Sequence, residues 1–158
     1  MQRKDLNDVT ETCKIRIDKE GKWYYHGSEI VNPLILEYFQ NALEKDEDGR
    51  YRIVLEHEMC YLDIEDTPFV VTSLKGNPET GLSLLLNTGD LHDLDPSTLS
   101  VGKDNVMYCT LPDGMSVRFS RAAYYTLALM MEEDEENNIV LKVGGKAYIV
   151  SSSRSDED

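Results

Sequence analysis

The sequence of 158 residues has no long hydrophobic run and few basic side chains. No stretch approaches the roughly 18 consecutive apolar residues that a membrane-spanning helix needs. Lys and Arg together number 16, against 30 Asp and Glu, which gives a formal net charge of −14. Nucleic acids and anionic membranes attract basic proteins, so we expect neither as a partner. The bland interpretation of this charge is a well-solvated surface.

Cysteine is scarce as well, since only Cys13, Cys60 and Cys109 are present. Three scattered cysteines are too few for a disulfide scaffold or a zinc site, so we expect neither. His57 and Cys60 would point to opposite faces of a strand, which disfavours a metal site there. The first 13 residues lack the apolar core of a signal peptide, and the cytoplasm is therefore the expected location.

The signatures of common enzymes are also missing. The chain contains no nucleophile elbow, no phosphate-binding loop and no glycine-rich dinucleotide fingerprint. We therefore expect no cofactor and assign no familiar reaction. The chain length fits one domain or two small ones, and 41% apolar residues suffice for a core.

Two segments predict well-delimited helices. Asn32 is a suitable N-cap, Pro33 suits the first helical position, and Gly49 suits the end of a helix. A second predicted helix runs from Ser120 to Asn137, and its apolar residues repeat with the same spacing.

The short strands around these helices recur at a nearly constant offset. We therefore predict an α+β protein with two copies of a strand–strand–helix–hairpin unit packed together, with antiparallel sheets. The first repeat is expected over residues 13–74 and the second over residues 104–150. Residues 75–103 form a central hairpin and connecting loop, and residues 151–158 form a disordered tail.

The first half of the chain also carries a series of short motifs, namely IDKEGKW at 17–23, HGSEI at 26–30, DGRY at 48–51, Glu58 and IEDTPF at 64–69. Over residues 14–72 the chain resembles the bacterial family labelled domain of unknown function 1285. A looser agreement follows around Arg118, Arg121, Tyr124 and Tyr125, and Glu56-His57 stands where that family often has Thr-Pro.

The resemblance implies a duplicated α+β structure whose C-terminal half is superficially like a pleckstrin-homology fold. It also implies a ligand site between the halves and a link to signal transduction. No enzymatic activity comes with it.

The residues themselves favour the same place for a site. Glu58 and Asp66 are acidic groups of the first repeat. Arg118 and Arg121 stand near the N-terminal end of the second helix, where backbone amides favour an anion. If the halves pack face to face, these groups form one cleft with three aromatic walls. The predicted ligand site thus contains Trp23, Tyr25, Glu58, Asp66, Arg118, Arg121 and Tyr125.

Other interpretations of these residues stay open. Asp66 or Glu58 could pair with Arg118 or Arg121 in a purely structural ion pair, and Trp23 and the tyrosines could be core residues. The leading hypothesis is a non-enzymatic module that binds a small ligand or a partner.

The second hypothesis is an enzyme in which Glu58 or Asp66 acts as acid or base and Arg118 or Arg121 holds an anionic substrate. The third is an interaction protein whose acidic surface meets a basic partner. The sequence leaves the ligand and the oligomeric state open.

Overall fold

The computed structural model describes residues 12–56 and 58–152. Most of the regular structure is β-strand, with two α-helices, and antiparallel pairs dominate the sheets. The predicted α+β class is therefore confirmed. The chain divides into an N-terminal unit, residues 1–68, and a C-terminal unit, residues 69–158.

The described part of the N-terminal unit contains six strands and one helix. They are β1 (Thr12–Ile17), β2 (Trp23–Tyr25), β3 (Ser28–Glu29), α1 (Pro33–Asn41), β4 (Leu43–Lys45), β5 (Tyr51–Val54) and β6 (Met59–Ile64). All six strands form one sheet in the order β3-β2-β1-β6-β5-β4. The pairing of β1 with β6 is parallel and joins the first strand of the unit to its last.

Alternation along these strands places apolar side chains on one face of the sheet. Ile17 pairs with Trp23 across β1 and β2, and with Ile64 across β1 and β6. The buried apolar residues of the unit are Ile15, Ile17, Trp23, Leu43, Ile53 and Leu62.

Between residues 69 and 152 the C-terminal unit contains ten strands and one α-helix. They are β7 (Phe69–Asn77), β8 (Gly81–Leu86), β9 (Leu91–Asp93), β10 (Ser100–Val101), β11 (Met107–Thr110), β12 (Ser116–Phe119), α2 (Arg121–Ala128), β13 (Met131–Glu133), β14 (Ile139–Val143), β15 (Lys146–Ile149) and β16 (Ser151–Ser152). Seven strands form one sheet in the order β16-β10-β11-β12-β7-β8-β9, and β13-β14-β15 form a second sheet.

The core of the C-terminal unit lies between its large sheet and α2. The helix packs on β7, and the helical residues Ala123 and Leu127 belong to one buried cluster with Val71 of that strand. Leu141 extends the cluster to the small sheet. A face of α2 with the 3.6-residue period is thus buried, as its sequence indicates.

The two units share one succession of elements. In each, two antiparallel pairs build a three-stranded ribbon, and a helix follows. An antiparallel meander then leads to a closing segment that pairs in parallel with the first strand of the ribbon. By this order β1-β2-β3, α1 and β4-β5-β6 correspond to β10-β11-β12, α2 and β13-β14-β15-β16. The strands β7-β8-β9 have no counterpart in the described part of the N-terminal unit.

The helices begin as predicted but end much earlier. Asn32 caps α1 by accepting hydrogen bonds from the N–H groups of Leu34 and Ile35, and Ser120 caps α2 by accepting one from Ala123. The prediction of a helix as far as Gly49 is wrong, because Leu43–Lys45 is strand β4.

The second helix was likewise predicted too long. It ends at Ala128, and strand β13 covers Met131–Glu133. In both places, pairing with the next strand outweighs a helical spacing that continues for one more turn.

A tight turn ends the first strand of each meander. Between β4 and β5, Oδ1 of Asp46 accepts hydrogen bonds from the N–H groups of Asp48 and Arg50, both at 2.9 Å. Gly49 takes a φ of 88°, which glycine adopts without a Cβ penalty. Gly49, which suggested the end of a helix, therefore lies in a hairpin turn that begins at Asp46.

The same turn joins β13 to β14. Oδ1 of Asp134 accepts hydrogen bonds from the N–H groups of Glu136 at 2.9 Å and of Asn138 at 2.8 Å. Asn137, with a φ of 70°, takes the place of the glycine. The acidic residues 132–136 consequently belong to a strand and a turn rather than to the end of a helix.

The cysteines differ from the sequence-based expectation. Cys13 and Cys60 form a disulfide that ties β1 to its parallel neighbour β6, with a Cα–Cα distance of 5.2 Å. The expectation of no disulfide scaffold missed this bond, because the pairing of β1 with β6 joins residues 47 positions apart. Cys109 is a free, buried thiol, and its burial, followed by the charge of Asp95, raises its pKa to about 12.

Two predictions concern the ends of the chain and the membrane. Ser151–Ser152, within the expected tail, pair with β10 as strand β16, and residues 153–158 lie outside the described residues. Neither helix of ranges 12–56 and 58–152 has the length and apolarity that crossing a membrane requires.

Candidate functional site

Four residues of the predicted site belong to the N-terminal unit. Trp23 is only 1% exposed, and its Nε1 has no hydrogen-bond partner among the described residues. Tyr25, two residues further along β2, is 48% exposed. Glu58 and Asp66 flank β6 at its two ends, so this unit separates the two carboxylates instead of bringing them together.

The other three residues belong to the C-terminal unit. Arg118 is half-buried on β12, and Arg121 is the exposed first residue of α2. Tyr125 is 68% exposed one turn further along that helix. Arg118 and Arg121 thus lie on either side of the junction between β12 and α2. The idea that all seven residues form one ligand site stays a prediction.

Within the C-terminal unit lies a pocket with a volume of about 420 Å³. Small-molecule sites generally measure about 300–1,000 Å³ and have mostly apolar walls. The apolar lining here comes from Val101, Met107, Ala128, Met131, Ile139 and Val150. Met107 and Val150 are the most deeply buried of them, at 0% and 8% exposed.

The pocket lies where the two sheets of this unit part. Its lining includes residues of β10, β11 and β16 from the large sheet, of β13 and β14 from the small sheet, and of α2. The chain changes sheets at one peptide, because the Val150 N–H donates to Ile139 while the Ser151 N–H donates to Leu99. The strand that closes the unit is therefore divided into β15 and β16, and the division adjoins the pocket.

One polar pair adjoins the apolar lining. The hydroxyl of Tyr124 on α2 donates a hydrogen bond of 2.8 Å to Oδ1 of Asn105. Arg121 makes a longer contact of 3.5 Å from Nη1 to the backbone carbonyl of the same asparagine. The first turn of α2 thus holds the loop that carries Asn105.

The backbone of that loop is unusual. Asp104 and Asn105 have φ angles of 59° and 58°, the left-handed region that residues with a Cβ rarely occupy. Such conformations persist where surrounding contacts fix them, and they are common at binding sites. The contacts from Tyr124 and Arg121 provide this fixation.

Acidic side chains mark the opposite border. Glu132 and Glu133 line the pocket and also a second, more polar depression of about 640 Å³ with Asp134, Glu135 and Glu136. Nζ of Lys142 lies 3.4 Å from Oε1 of Glu132 and offsets part of this negative charge. The border therefore disfavours an anionic ligand group near β13.

The described residues contain no group of three or more His, Cys, Asp or Glu side chains arranged to hold a metal ion. His57, considered above with Cys60, lies outside the described residues. A metal-dependent chemistry has no candidate donor set in this part of the chain.

Sequence reasoning did not find the pocket. Its lining comes from segments between Val101 and Ser152 that are distant along the chain. Tyr124 was predicted on the apolar face of the second helix and noted in the looser part of the family resemblance, but not as a site residue. The one local signal was the Asp104-Asn105 pair, since Asp and Asn tolerate left-handed backbone better than other non-glycine residues.

The structure thus defines a mixed α+β protein built from two related units, one of which contains an apolar pocket. Residues 7–67 match the family model described as "Domain of unknown function (DUF1285), N-terminal domain". The resemblance to this family that the sequence motifs indicated is thereby confirmed. No curated protein matches the chain significantly.

Two solved structures share the fold. A DUF1285 family protein from Silicibacter pomeroyi DSS-3 is 19% identical with a TM-score of 0.75, and the match covers 99% of this chain and 91% of that one. A DUF1285 family protein from Shewanella baltica OS155 is 24% identical with a TM-score of 0.60 and covers 71% of this chain and 87% of its own. These likenesses concern the fold alone.

Proposed function

We propose that this protein is a non-enzymatic binding module whose C-terminal unit takes up a small, mainly apolar ligand. The observation that carries the proposal is the pocket at the division of the closing strand, with its apolar lining and its one ordered polar pair. A preformed pocket of this size binds without a large ordering cost.

The lining also favours a ligand chemistry. An apolar body would contact Met107, Met131 and Val150, and methionine side chains adapt readily to differently shaped ligands. Asn105 and Tyr124 offer a hydrogen-bonding group to one polar end of the ligand. Glu132 and Glu133 favour a neutral or cationic group at the other border.

Three other expectations from the sequence stand beside this proposal. A role in signal transduction, implied by the family resemblance, and the cytoplasm as location stay predictions. So does the ligand site of Trp23, Tyr25, Glu58, Asp66, Arg118, Arg121 and Tyr125. The rival enzyme hypothesis has an observable consequence, which is turnover of whatever compound binds.

The test is to fill the pocket with a side chain. Ala128→Trp projects an indole from α2 at a lining position, and Ala122→Trp makes the same change at an exposed position of that helix outside the lining. A thermal-shift screen of apolar amines, alcohols and amides would supply the ligands. A ligand at 100 times its Kd stabilises the folded state by about 2.7 kcal/mol.

We expect hits that raise the Tm of the wild type and of Ala122→Trp but not of Ala128→Trp. The chemical-shift changes of the protein on binding a hit should centre on Asn105 and Tyr124. Hits that stabilise Ala128→Trp as strongly as the wild type would contradict the pocket as the site. Chemical conversion of a bound hit would replace the binding module by an enzyme.

A further inference from the structure

The last strands of the two three-stranded ribbons, β3 and β12, differ in their surroundings. In the C-terminal unit, β12 pairs on its outer side with β7, in parallel, with Val117 opposite Phe69 and Phe119 opposite Val71. The Ser120 N–H at the start of α2 donates to the carbonyl of Val71 at 2.9 Å. This edge is therefore filled by an apolar strand.

The strand that fills the edge also covers the helix above it. Ala123 and Leu127 of α2 are 1% and 0% exposed and share a buried cluster with Val71 of β7. One extended segment, β7, thus pairs with the backbone of β12 and covers the apolar face of α2.

The corresponding edge of the N-terminal unit is open. β3 is the last strand of its sheet, and no strand of the described ranges pairs with its outer side. The Ile30 N–H donates inward to the carbonyl of Trp23. Because backbone groups alternate in direction, the N–H groups of Glu29 and Val31 point to the outer edge.

The helix beside this edge is also uncovered. None of the nine residues of α1 is buried, whereas the helix is rich in apolar side chains. Leu34, Ile35 and Tyr38 are 77%, 46% and 59% exposed, and Val31 before the helix is 73% exposed. Counting from the two N-caps, Ile35 stands where α2 has the buried Ala123.

We propose that β3 and α1 form a groove for an extended, apolar segment of a partner protein, which adds to the sheet in parallel with β3. Strand addition of this kind combines backbone hydrogen bonds to an edge with side-chain contacts to the neighbouring surface. The chain itself shows the occupant that suits such a groove, because β7 fills the equivalent place with Phe69-Val70-Val71.

Charge refines the description of the partner. Glu29 on β3 and Glu37 on α1 are exposed beside the groove, and the whole chain carries a formal charge of −14. Basic residues next to the apolar run of the partner would therefore speed its association. A second copy of this acidic chain is a poorer occupant for the same reason.

The test uses a synthetic peptide with the sequence of residues 69–75, Phe-Val-Val-Thr-Ser-Leu-Lys, added to the isotopically labelled full chain. We expect amide shift changes at Glu29 and Val31 and side-chain changes at Ile35. The Ile35→Glu variant places a charge in the groove at an exposed position and should weaken peptide binding at least tenfold. Leu129→Glu, at an exposed position just after α2, is the matched control and should bind like the wild type.

Four results would overturn the proposal. The first is no binding at millimolar peptide, and the second is equal affinity for the wild type and Ile35→Glu. The third is a set of shift changes confined to β12 and α2, which would mean that the peptide merely exchanges with β7. Concentration-dependent changes of the Glu29 and Val31 amides without peptide would assign the groove to a second copy instead.

Discussion

The two units are built from the same succession of strands and helix, yet they close differently. In the N-terminal unit a single strand, β6, pairs with β5 through its first half and with β1 through its second half. In the C-terminal unit the closing strand is divided at Val150, so the meander and the ribbon belong to separate sheets. The unbroken closure gives one continuous sheet, whereas the divided closure leaves a pocket.

A second difference concerns what covers each helix. The C-terminal unit has the additional strand β7 under α2, and the described part of the N-terminal unit has no equivalent under α1. The same succession of elements therefore has an apolar pocket in one unit and an exposed helix beside an open strand edge in the other.

The largest expected effect tests the difference between the helix faces. Leu127→Ala removes a fully buried side chain and should lower the free energy of unfolding by about 2–5 kcal/mol. Phe39, at the corresponding position of α1, is only half-buried, so Phe39→Ala should have a clearly smaller effect despite the larger side chain. Denaturation followed by far-ultraviolet circular dichroism measures both. A greater loss from Phe39→Ala would mean that α1 is covered in solution.

The next effect tests the closure of the N-terminal unit. Cys60→Ser removes the bond between β1 and β6 and should lower the free energy of unfolding of this unit by about 2–4 kcal/mol. Trp23, the one tryptophan of the chain and buried in this unit, reports the transition by fluorescence. Reductant should shift the wild type to the midpoint of Cys60→Ser and leave the variant unchanged. Insensitivity of the wild type to reductant would show that the two thiols are not bonded.

The smallest effect tests the turn that the two units have in common. The hydrogen bond from the Arg50 N–H, with those from Tyr61 and Asp48, lowers the pKa of Asp46 below its ordinary value of 3.8. The bond from the Asn138 N–H, with those from Glu136, does the same for Asp134. A lowered pKa means that each carboxylate stabilises the folded state above the unfolded pKa, and that this share is lost as pH falls through the folded pKa.

Urea denaturation at pH 7 and near pH 3 would measure this share. Asp46→Asn and Asp134→Asn keep an acceptor oxygen but lose the charge. Each variant should be less stable than the wild type at pH 7, and the difference should shrink at low pH. A difference that grows as the pH falls would contradict the sign of both pKa shifts.

The sequence predicted the features that depend on neighbouring residues. The N-cap at Asn32 and the start of the second helix at Ser120 depend on side chains within a few positions, and the structure has both. The helix ends were wrong because residues such as Leu43 and Met131 fit both a helical face and a strand. Only pairing with the following strand decides between them.

Features that depend on distant residues were beyond the sequence. The parallel pairings of β1 with β6 and of β12 with β7 bring together segments far apart in the chain, and no local pattern specifies them. The disulfide follows from the first of these pairings, and the pocket adjoins another distant pairing, that of β10 with β16. Sequence-based site residues were chosen by charge and aromatic character, which identified Arg121 beside the Asn105 loop but not the methionines that line the pocket.

In each unit the first strand of the three-stranded ribbon pairs in parallel with the last strand of the unit, and this has a consequence for biosynthesis. A ribosome delivers the chain from its N-terminus, so β1 must wait for β6, and β10 for β16, before either gains its second neighbour. Contacts of this long-range kind form slowly. Each nascent unit consequently leaves the exit tunnel with one edge of this strand unpaired, and exposed edges of this kind favour aggregation until the unit is complete.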